Sequence, residues 1–311
     1  YCQRINLEEV SMARIVVIGA GVMGIGICKH FLRNGCQVAL VDPSPVALKK
    51  AKENTKQDGK EALCVRVPSD LRKEWSAADV VFEAVPEVLS IKRSVLSTIE
   101  ECFGETTIIA SNTSGLKTTD MTEGMHHPER FVITHFFNPA DLIPAVEIVP
   151  GPATTEQVVA QVIRLLERTG KKAARLQADI PGFIANRLQH ALLRECFYLI
   201  EKGVADAETI DLVTRYALGV RLALIGPMLQ RDLNGLDTHL NIARYLYADL
   251  DRRETAPDAL VDMVAAGHLG RKSGQGFFKR DATQNGRLEE IEALLPEVNA
   301  LADRAQATEE E

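Results

Sequence analysis

The pattern of hydrophobic and polar positions changes near residue 180 of the chain. Before that point, short runs of β-branched residues alternate with segments whose apolar positions recur at helical spacing. This alternation is typical of a largely parallel, doubly wound sheet with helices on both faces, and it predicts a Rossmann-type α/β domain over residues 12–180. After Pro181 and Gly182 the strand-like runs stop and only helical spacing remains. Residues 181–311 are therefore predicted to form an all-helical domain.

Runs and spacings also predict the individual elements. The predicted strands cover residues 14–18, 37–41, 79–85, 106–110, 131–137 and 145–149. The predicted helices cover residues 91–103 and 155–168 in the first domain, and 183–202, 207–217, 227–249, 257–266 and 288–305 in the second. We expect Pro296 to interrupt the last helix. The helix from Phe183 is apolar on more than one face, which predicts burial in its own domain and against a partner subunit, and hence a homodimer.

A glycine-rich turn follows the first predicted strand and opens a helix. In this G-x-G-x-x-G pattern, Gly19 allows a tight turn, Gly21 lets the backbone approach a pyrophosphate, and Gly24 lets the helix lie close to the strand. Val22 and Met23 occupy the first helical positions, where free N–H groups favour phosphates. The alternative is a tight strand-to-helix turn that binds nothing.

An acidic residue ends the second predicted strand and favours the dinucleotide interpretation. Asp42 lies at the position where a carboxylate accepts hydrogen bonds from an adenosine ribose. A 2′-phosphate at that place would meet a like charge. The sequence therefore predicts NAD as the cofactor in preference to NADP.

Composition and charge exclude several other classes of protein. The 311 residues carry a net charge of −7 without a long basic run, so a nucleic-acid or anionic-membrane surface is not expected. The six cysteines are scattered without a C-x-x-C pair, which favours reduced thiols in a cytoplasm, and no metal site is expected. Residues 1–11 have neither the basic nor the apolar part of a secretory signal, and we expect a leader without function before Met12.

Candidate catalytic side chains follow the ends of the later strands of the first domain. Oxidation of an alcohol by hydride transfer needs a base for the hydroxyl proton, and a histidine oriented by a carboxylate serves this purpose. His135 lies at the end of one predicted strand and Glu147 on the next, with Pro139 and Pro144 marking a turn between them. That turn could bring the two side chains together.

The motifs of the chain, taken as a set, resemble the L-3-hydroxyacyl-CoA dehydrogenase family. They are Gly19-Ala-Gly-Val-Met-Gly24, Ser111-Asn-Thr-Ser114, His135-Phe-Phe-Asn-Pro139, Glu147, Pro181-Gly-Phe-Ile-Ala-Asn-Arg187 and Gly270-Arg-Lys-Ser-Gly-Gln-Gly276. The resemblance implies that His135 is the catalytic base and Glu147 its partner, and that Ser114 and Asn138 hydrogen-bond the reacting oxygen.

Further roles follow from the same resemblance. Asn186 would complete the substrate pocket, Glu87 would lie near the nicotinamide ribose, and Asn112 would belong to the cofactor site. The second domain would be helical and form the dimer.

Three departures from the family pattern concern the substrate. Only about forty residues separate Asp42 from Glu83, where members that act on CoA thioesters carry a longer helical hairpin. Pro86 precedes Glu87, and Arg221 lies in an altered turn where it could bind a carboxylate.

These departures resemble a branch that acts on small carboxylates and includes L-gulonate 3-dehydrogenase (λ-crystallin), L-carnitine dehydrogenase and a pyridine-carboxylate dehydrogenase of vitamin B6 breakdown. The expected substrate is therefore a small free hydroxy acid. The alternative is a 3-hydroxyacyl-CoA thioester, because the His-Phe-Phe sequence that begins at His135 is the one found in the acyl-CoA enzymes. A more remote alternative is a non-catalytic NAD-binding protein.

Overall fold

A computed structural model describes residues 13–56, 61–71, 73–279 and 290–310 of the chain, and the side chains up to residue 308. Eight strands form one sheet in the order β3-β2-β1-β4-β5-β6-β7-β8, parallel except for the antiparallel pair of β6 and β7. In chain order they are β1 (Arg14–Ile18), β2 (Gln37–Val41), β3 (Leu63–Val65), β4 (Val80–Glu83), β5 (Ile108–Ser111), β6 (Phe131–Phe136), β7 (Ala145–Pro150) and β8 (Lys172–Arg175).

Helices connect the parallel strands. They are α1 (Val22–Arg33), α2 (Pro45–Thr55), α3 (Leu89–Cys102), α4 (Thr118–Thr122) and α5 (Glu156–Arg168), with short 3₁₀ helices at Pro68–Asp70, Lys73–Ala77 and Pro128–Arg130. Ser44 and Thr155 begin α2 and α5 by accepting hydrogen bonds from the backbone three residues later, the usual N-cap arrangement.

Two apolar clusters cover the sheet. One includes Ile15, Val17 and Phe82, and the other includes Val16, Val81 and Ile133. Successive strand residues point to opposite faces, so strands that are apolar throughout contribute to both clusters. The layered arrangement confirms the predicted doubly wound α/β fold.

The chain divides into two compact units between Arg187 and Leu188, inside helix α6 (Ala185–Glu201). Among the described residues of the second unit, the regular elements are helices, as predicted, apart from isolated bridges near Gln275. Its further helices are α7 (Ala207–Val213), α8 (Val220–Leu222), α9 (Pro227–Asn234), α10 (Leu236–Leu246), α11 (Asp258–Ala265) and α12 (Leu295–Glu310), with a π-helical segment at Thr214–Gly219.

One predicted helix of the second unit is divided in the structure, and another is interrupted as expected. Residues 227–249 were expected to form one helix, but Gly235 has φ +89° and separates α9 from α10. A residue in this left-handed region ends a helix, and glycine adopts it without steric cost. The predicted interruption near Pro296 is confirmed: residues 290–292 are helical, residues 293–294 form a turn, and α12 begins at Leu295 with Pro296 in its first turn, where its missing N–H is tolerated.

Some predictions fall on parts of the chain outside the described residues, among them the leader at residues 1–11. Of the described helices, none alone is long and apolar enough to cross a membrane. One bent pair, Ala207–Leu222 with Pro227–Asn234, passes that test of length and composition only together, across an 86° bend.

Candidate active site

The glycine-rich turn connects β1 to α1 at the carboxyl edge of the sheet. Gly19 has φ +109°, and a Cβ added there would lie 2.5 Å from the carbonyl oxygen of Ala84. A Cβ on Gly24 would lie 1.8 Å from the carbonyl oxygen of Gly19. Both glycines are therefore required by the packing of the protein itself.

Gly21 differs from its two neighbours because a Cβ added there would meet no atom within 4 Å. The protein's own packing does not explain this glycine, whereas close approach of a pyrophosphate would. Gly21 precedes the first turn of α1, where Val22 is exposed and Met23 is half-buried. The turn thus fits the phosphates of a dinucleotide at a helix N-terminus.

Asp42 directly follows β2, beside this turn. Its Oδ2 accepts a hydrogen bond from the N–H of Ala20 at 2.8 Å, and its Oδ1 accepts one from Ser44 at 2.8 Å. Each carboxylate oxygen has a second acceptor position, which suits the hydroxyls of a ribose. The carboxylate thus both fixes the glycine-rich turn and places a negative charge at the expected ribose position.

The antiparallel pairing of β6 and β7 places His135 directly opposite Glu147. Nδ1 of His135 lies 2.8 Å from Oε2 of Glu147, and both side chains are buried. The turn expected at Pro139 and Pro144 therefore does bring the two side chains together.

Glu147 has its other oxygen bound to the backbone at the start of α6. Oε1 accepts hydrogen bonds from the N–H groups of Ile184 and Ala185, each at 2.9 Å. Burial tends to raise the pKa of Glu147, but hydrogen bonds from His135, Ala185 and Ile184 lower it overall, below its usual range.

The ionised state of Glu147 determines the tautomer of His135. A carboxylate only accepts hydrogen bonds, so Nδ1 of His135 must donate the proton. Nε2 of the neutral ring then carries a lone pair. The arrangement provides a proton acceptor at Nε2 with a carboxylate behind it.

Two phenylalanines enclose the imidazole ring. The ring centroid of Phe137 lies 4.6 Å from that of His135, and that of Phe183 lies 5.5 Å away. Phe183 is buried and has φ +51°, a left-handed conformation that is rare for residues other than glycine. Phe183 was not among the predicted site residues, although it lies within the Pro181–Arg187 motif.

Ser114 and Asn186 lie together, as the predicted pocket requires. Nδ2 of Asn186 donates to the carbonyl oxygen of Ser114 at 3.1 Å. The N–H of Ser114 donates to Oε1 of Glu87 at 2.9 Å, and its hydroxyl lies 3.3 Å from the same oxygen. Three predicted residues are thus connected by hydrogen bonds at the ends of β4 and β5.

Glu87 also accepts a hydrogen bond from Thr113 and lies 3.3 Å from the ammonium group of Lys92. Partial burial tends to raise the pKa of Glu87, but the hydrogen bond from Thr113, the charge of Lys92 and the Ser114 N–H lower it overall. Glu87 is therefore ionised at neutral pH.

A buried ion pair beneath Glu87 was not predicted from the sequence. Lys92 of α3 donates to Oε1 of Glu83 at 2.8 Å, and the hydroxyl of Ser111 donates to Oε2 at 2.6 Å. These three side chains are buried, and they link the ends of β4 and β5. Glu83 and Lys92 are nine residues apart, one at the end of a strand and the other near the start of a helix. No local sequence pattern indicates that they form an ion pair.

The remaining predicted residues occupy different places. Oδ1 of Asn112 accepts the N–H of Phe136 at 2.9 Å and so ties β5 to β6. Asn138 is exposed and precedes Pro139 in the turn after β6. Arg221 lies in the second unit, where Nε donates to the carbonyl oxygen of Ala217 at 2.9 Å. With its amide oriented so that the oxygen faces Arg221, buried Gln230 accepts from the same guanidinium at 3.0 and 3.2 Å.

Comparison with protein families gives two adjoining matches. Residues 14–180 match the model of the 3-hydroxyacyl-CoA dehydrogenase NAD-binding domain, and residues 182–280 match that of the 3-hydroxyacyl-CoA dehydrogenase C-terminal domain.

Curated relatives with different substrates match the chain. It is 36% identical over 276 residues to 5-formyl-3-hydroxy-2-methylpyridine 4-carboxylate 5-dehydrogenase of Mesorhizobium japonicum, covering 85% of the chain and 89% of the relative. It is 37% identical over 235 residues to L-carnitine dehydrogenase of Oceanobacillus iheyensis, covering 72% and 76%. It is 34% identical over 280 residues to a probable 3-hydroxybutyryl-CoA dehydrogenase of Bacillus subtilis, covering 85% and 96%.

A solved structure also matches both units. The chain aligns with a crystal structure of the same type of pyridine-carboxylate 5-dehydrogenase, described as an NAD⁺-dependent dismutase, with a TM-score of 0.86 and 32% identity. The alignment covers 95% of this chain and 99% of the other.

Proposed function

Because the chain belongs to the 3-hydroxyacyl-CoA dehydrogenase family and is an NAD-dependent dehydrogenase acting on CH–OH groups, we propose that it oxidises a small free hydroxy acid with His135 as the general base. The observation that carries this proposal is the buried contact of 2.8 Å between His135 and Glu147. Its reverse reaction, reduction of the matching carbonyl compound, uses the same groups in the opposite order.

The proton of the substrate hydroxyl goes to Nε2 of His135. When bound, NAD supplies the acceptor for the hydride. As His135 becomes an imidazolium, its positive charge develops beside Glu147, whose ionised state is maintained by Ile184 and Ala185. This stabilises the charged ring where the proton is held, which is the task of the carboxylate in such pairs.

Ser114 and Asn138 orient the reacting oxygen in this proposal. Both are exposed at the ends of strands that carry the site, where their polar groups are available to a substrate. Asn186 holds the backbone of Ser114 in place. These side chains would position the substrate so that its hydroxyl proton faces Nε2 of His135.

The proposed substrate class rests on the relatives and on one segment of the first unit. Two of the matched relatives are named for small carboxylates, a pyridine carboxylate and L-carnitine. The described residues between Asp42 and Glu83 form α2, β3 and two short 3₁₀ helices, with no helical hairpin among them. Little protein there is available to hold a CoA moiety. The alternative substrate, a 3-hydroxyacyl-CoA, is supported by the Bacillus subtilis relative.

A substrate panel tests the proposal. NADH formation is measured with L-carnitine, L-gulonate, hydroxymethyl pyridine carboxylates and short 3-hydroxy acids, beside 3-hydroxybutyryl-CoA. We expect a higher kcat/KM for at least one free acid than for the thioester. Efficient oxidation of 3-hydroxybutyryl-CoA with no activity on any free acid would replace the proposal by the acyl-CoA alternative.

We also propose that the second unit forms a homodimer. Among the described residues of that unit, no apolar side chain is buried, and Leu188 and Leu192 on one side of α6 are 59% and 42% exposed. Helices with this much open apolar surface gain stability by covering it, and a second copy of the same chain offers a matching surface.

A cytoplasmic location and the lack of nucleic-acid or membrane partners remain predictions from charge and cysteine pattern.

Light scattering at micromolar concentration tests the dimer. We expect a mass of twice the 34.2 kDa of one chain. Leu188→Glu should give monomers because it places an unpaired charge in the interface, whereas Gln189→Glu, the same charge at the neighbouring polar position, should not. A monomeric wild-type protein would refute the dimer.

A further inference from the structure

A buried lysine binds the turn between β6 and β7. This turn, residues 137–144, carries Asn138 and begins two residues after His135. Lys171 lies just before β8, and its ammonium group donates to the carbonyl oxygens of Ala140 at 2.6 Å and Ile143 at 2.7 Å. Only 4% of Lys171 is exposed. Two carbonyl groups of the turn, three residues apart, are thus bound to the same ammonium group.

Burying an ammonium group costs free energy unless nearby groups compensate its charge. Burial lowers the pKa of Lys171 to about 8, with Arg33 acting in the same direction and Asp141 opposing it. His30, the other titratable group nearby, has its pKa lowered to about 3 by burial and by the charges of Lys171 and Arg33. It is neutral and adds no repulsion. The two carbonyls and Asp141 are the groups that compensate Lys171.

The upper side of the same turn packs on α1, the helix that follows the glycine-rich turn. A Cβ on Gly26 would lie 2.9 Å from Cβ of Ala140, so the backbone of α1 approaches the turn closely. Arg33, at the end of α1, forms a 3.0 Å ion pair with Asp141. The turn therefore lies between the cofactor helix and Lys171.

The segment that carries Lys171 is attached to α1 as well. Thr169, two residues before Lys171, has its hydroxyl 3.0 Å from Nε2 of His30 on α1. Helix, turn and lysine thus form one connected unit, in which His30, Ala140, Thr169 and Lys171 are buried.

We propose that Lys171 is a positioning residue for the dehydrogenase reaction, which holds the turn of residues 137–144, and with it Asn138, in place against α1. Lys171 touches neither substrate nor cofactor in this role. The role of Asn138 toward the substrate rests on the proposed function, but the holding of the turn does not.

Hydrogen–deuterium exchange and kinetics of two variants test the proposal. Lys171→Met keeps the length of the side chain and removes both hydrogen bonds to the turn. We expect the amides of Leu142 and Ile143 to exchange on the order of tenfold faster than in the wild type. We also expect kcat to fall by about ten- to a hundredfold, as small misplacements of reacting groups do, while NAD affinity stays unchanged.

Lys172→Met is the matched control, because it removes the exposed ammonium group of the next residue along the chain. Its exchange and kcat should equal those of the wild type. Lys171→Ala is the second variant: it leaves room for n-propylammonium, which has the missing atoms. Addition of this amine should restore part of the lost activity, whereas n-propanol should not.

The outcomes separate this proposal from the proposed function. Wild-type exchange in the turn and wild-type kcat in Lys171→Met would overturn the role of Lys171 while leaving the dehydrogenase reaction untouched. Faster exchange in a protein whose wild type oxidises no hydroxy acid and no hydroxyacyl-CoA would support the holding of the turn and refute the function. Loss of NAD affinity together with kcat in Lys171→Met, without rescue of Lys171→Ala by the amine, would show a general structural role and overturn the proposal.

Discussion

Glu147 is the residue on which the chemistry of His135 depends. Its two oxygens divide their tasks: Oε2 fixes Nδ1 of the imidazole, and Oε1 is held by two backbone N–H groups. Glu147→Gln should lower kcat, because the amide neither enforces the tautomer nor stabilises the imidazolium. The double variant with His135→Ala should be little slower than His135→Ala alone, since residues that act as a unit are non-additive. Additive losses in kcat would mean that Glu147 acts independently of His135.

The same carboxylate links stability to pH. The pKa of Glu147 is lower in the folded protein than in the unfolded chain, so the unfolded state binds the proton more tightly. Its contribution to the free energy of unfolding is present above the unfolded pKa of about 4.3 and is lost as the pH falls through the folded value. The stability advantage of the wild type over Glu147→Gln in urea should therefore shrink from pH 6 to pH 3. An advantage that grows toward pH 3 would contradict the assignment.

Asp42 should set the choice of cofactor. Its carboxylate is fixed by Ala20 and Ser44, so it cannot easily turn away from a 2′-phosphate. We expect kcat/KM with NAD to exceed that with NADP by at least about tenfold, which corresponds to about 1.4 kcal/mol. Comparable values for the two cofactors would show that Asp42 does not face the ribose.

At the scale of elements, two glycines of the glycine-rich turn have different tasks: we expect Gly24 to be required for folding and Gly21 for cofactor binding. Gly24→Ala would drive a methyl group into the carbonyl of Gly19, whereas Gly21→Ala meets open space. Gly24→Ala should lower the melting temperature by several degrees or prevent folding, as expected for forced overlap in a packed region. Gly21→Ala should leave the melting temperature unchanged and weaken NAD binding, measured by calorimetry. The reverse pattern would contradict the assignment of these two glycines.

Elements with a strong periodic pattern were predictable from the sequence. The buried β-branched runs gave β1, β2, β6 and β7 close to their observed bounds, and Pro139 and Pro144 indicated the turn that pairs His135 with Glu147. The edge strands β3 and β8 were missed, since Leu63–Val65 is short and Lys172–Arg175 has no β-branched residue. Helix α2 was also missed, although Ser44 and Pro45 are a recognisable helix start.

No sequence pattern indicated the buried lysines that hold the backbone and side chains around the site. Lysine is rarely buried, and no sequence pattern indicates that Lys92 and Lys171 are each at least 96% buried. Their partners are distant in sequence or are backbone carbonyls, so only the folded chain brings them together. The same holds for the left-handed conformation of Phe183 beside the imidazole.

At the scale of the whole molecule, the two units have different character. The first has a dense apolar core on both faces of its sheet, while the described helices of the second expose apolar side chains. Arg221 belongs to the second unit, held by Ala217 and Gln230. Its proposed role is to bind the carboxylate of a free acid, which a lysine does not reproduce bidentately.

Arg221→Lys tests this part of the substrate assignment. It should raise KM for the preferred free acid more than it lowers kcat, because it removes binding that is equal in ground and transition states. Steady-state kinetics with the best acid of the substrate panel measure both constants. An unchanged KM would show that the carboxylate is bound elsewhere.

The most direct test of the account is the turnover of His135→Gln. Glutamine preserves much of the size of the ring but accepts no proton near neutral pH. We predict that kcat for the preferred hydroxy acid falls by about two to four orders of magnitude, the usual worth of a general base, while NAD affinity by calorimetry stays unchanged. A variant that binds NAD and turns over substrate at nearly the wild-type rate would show that the base lies elsewhere.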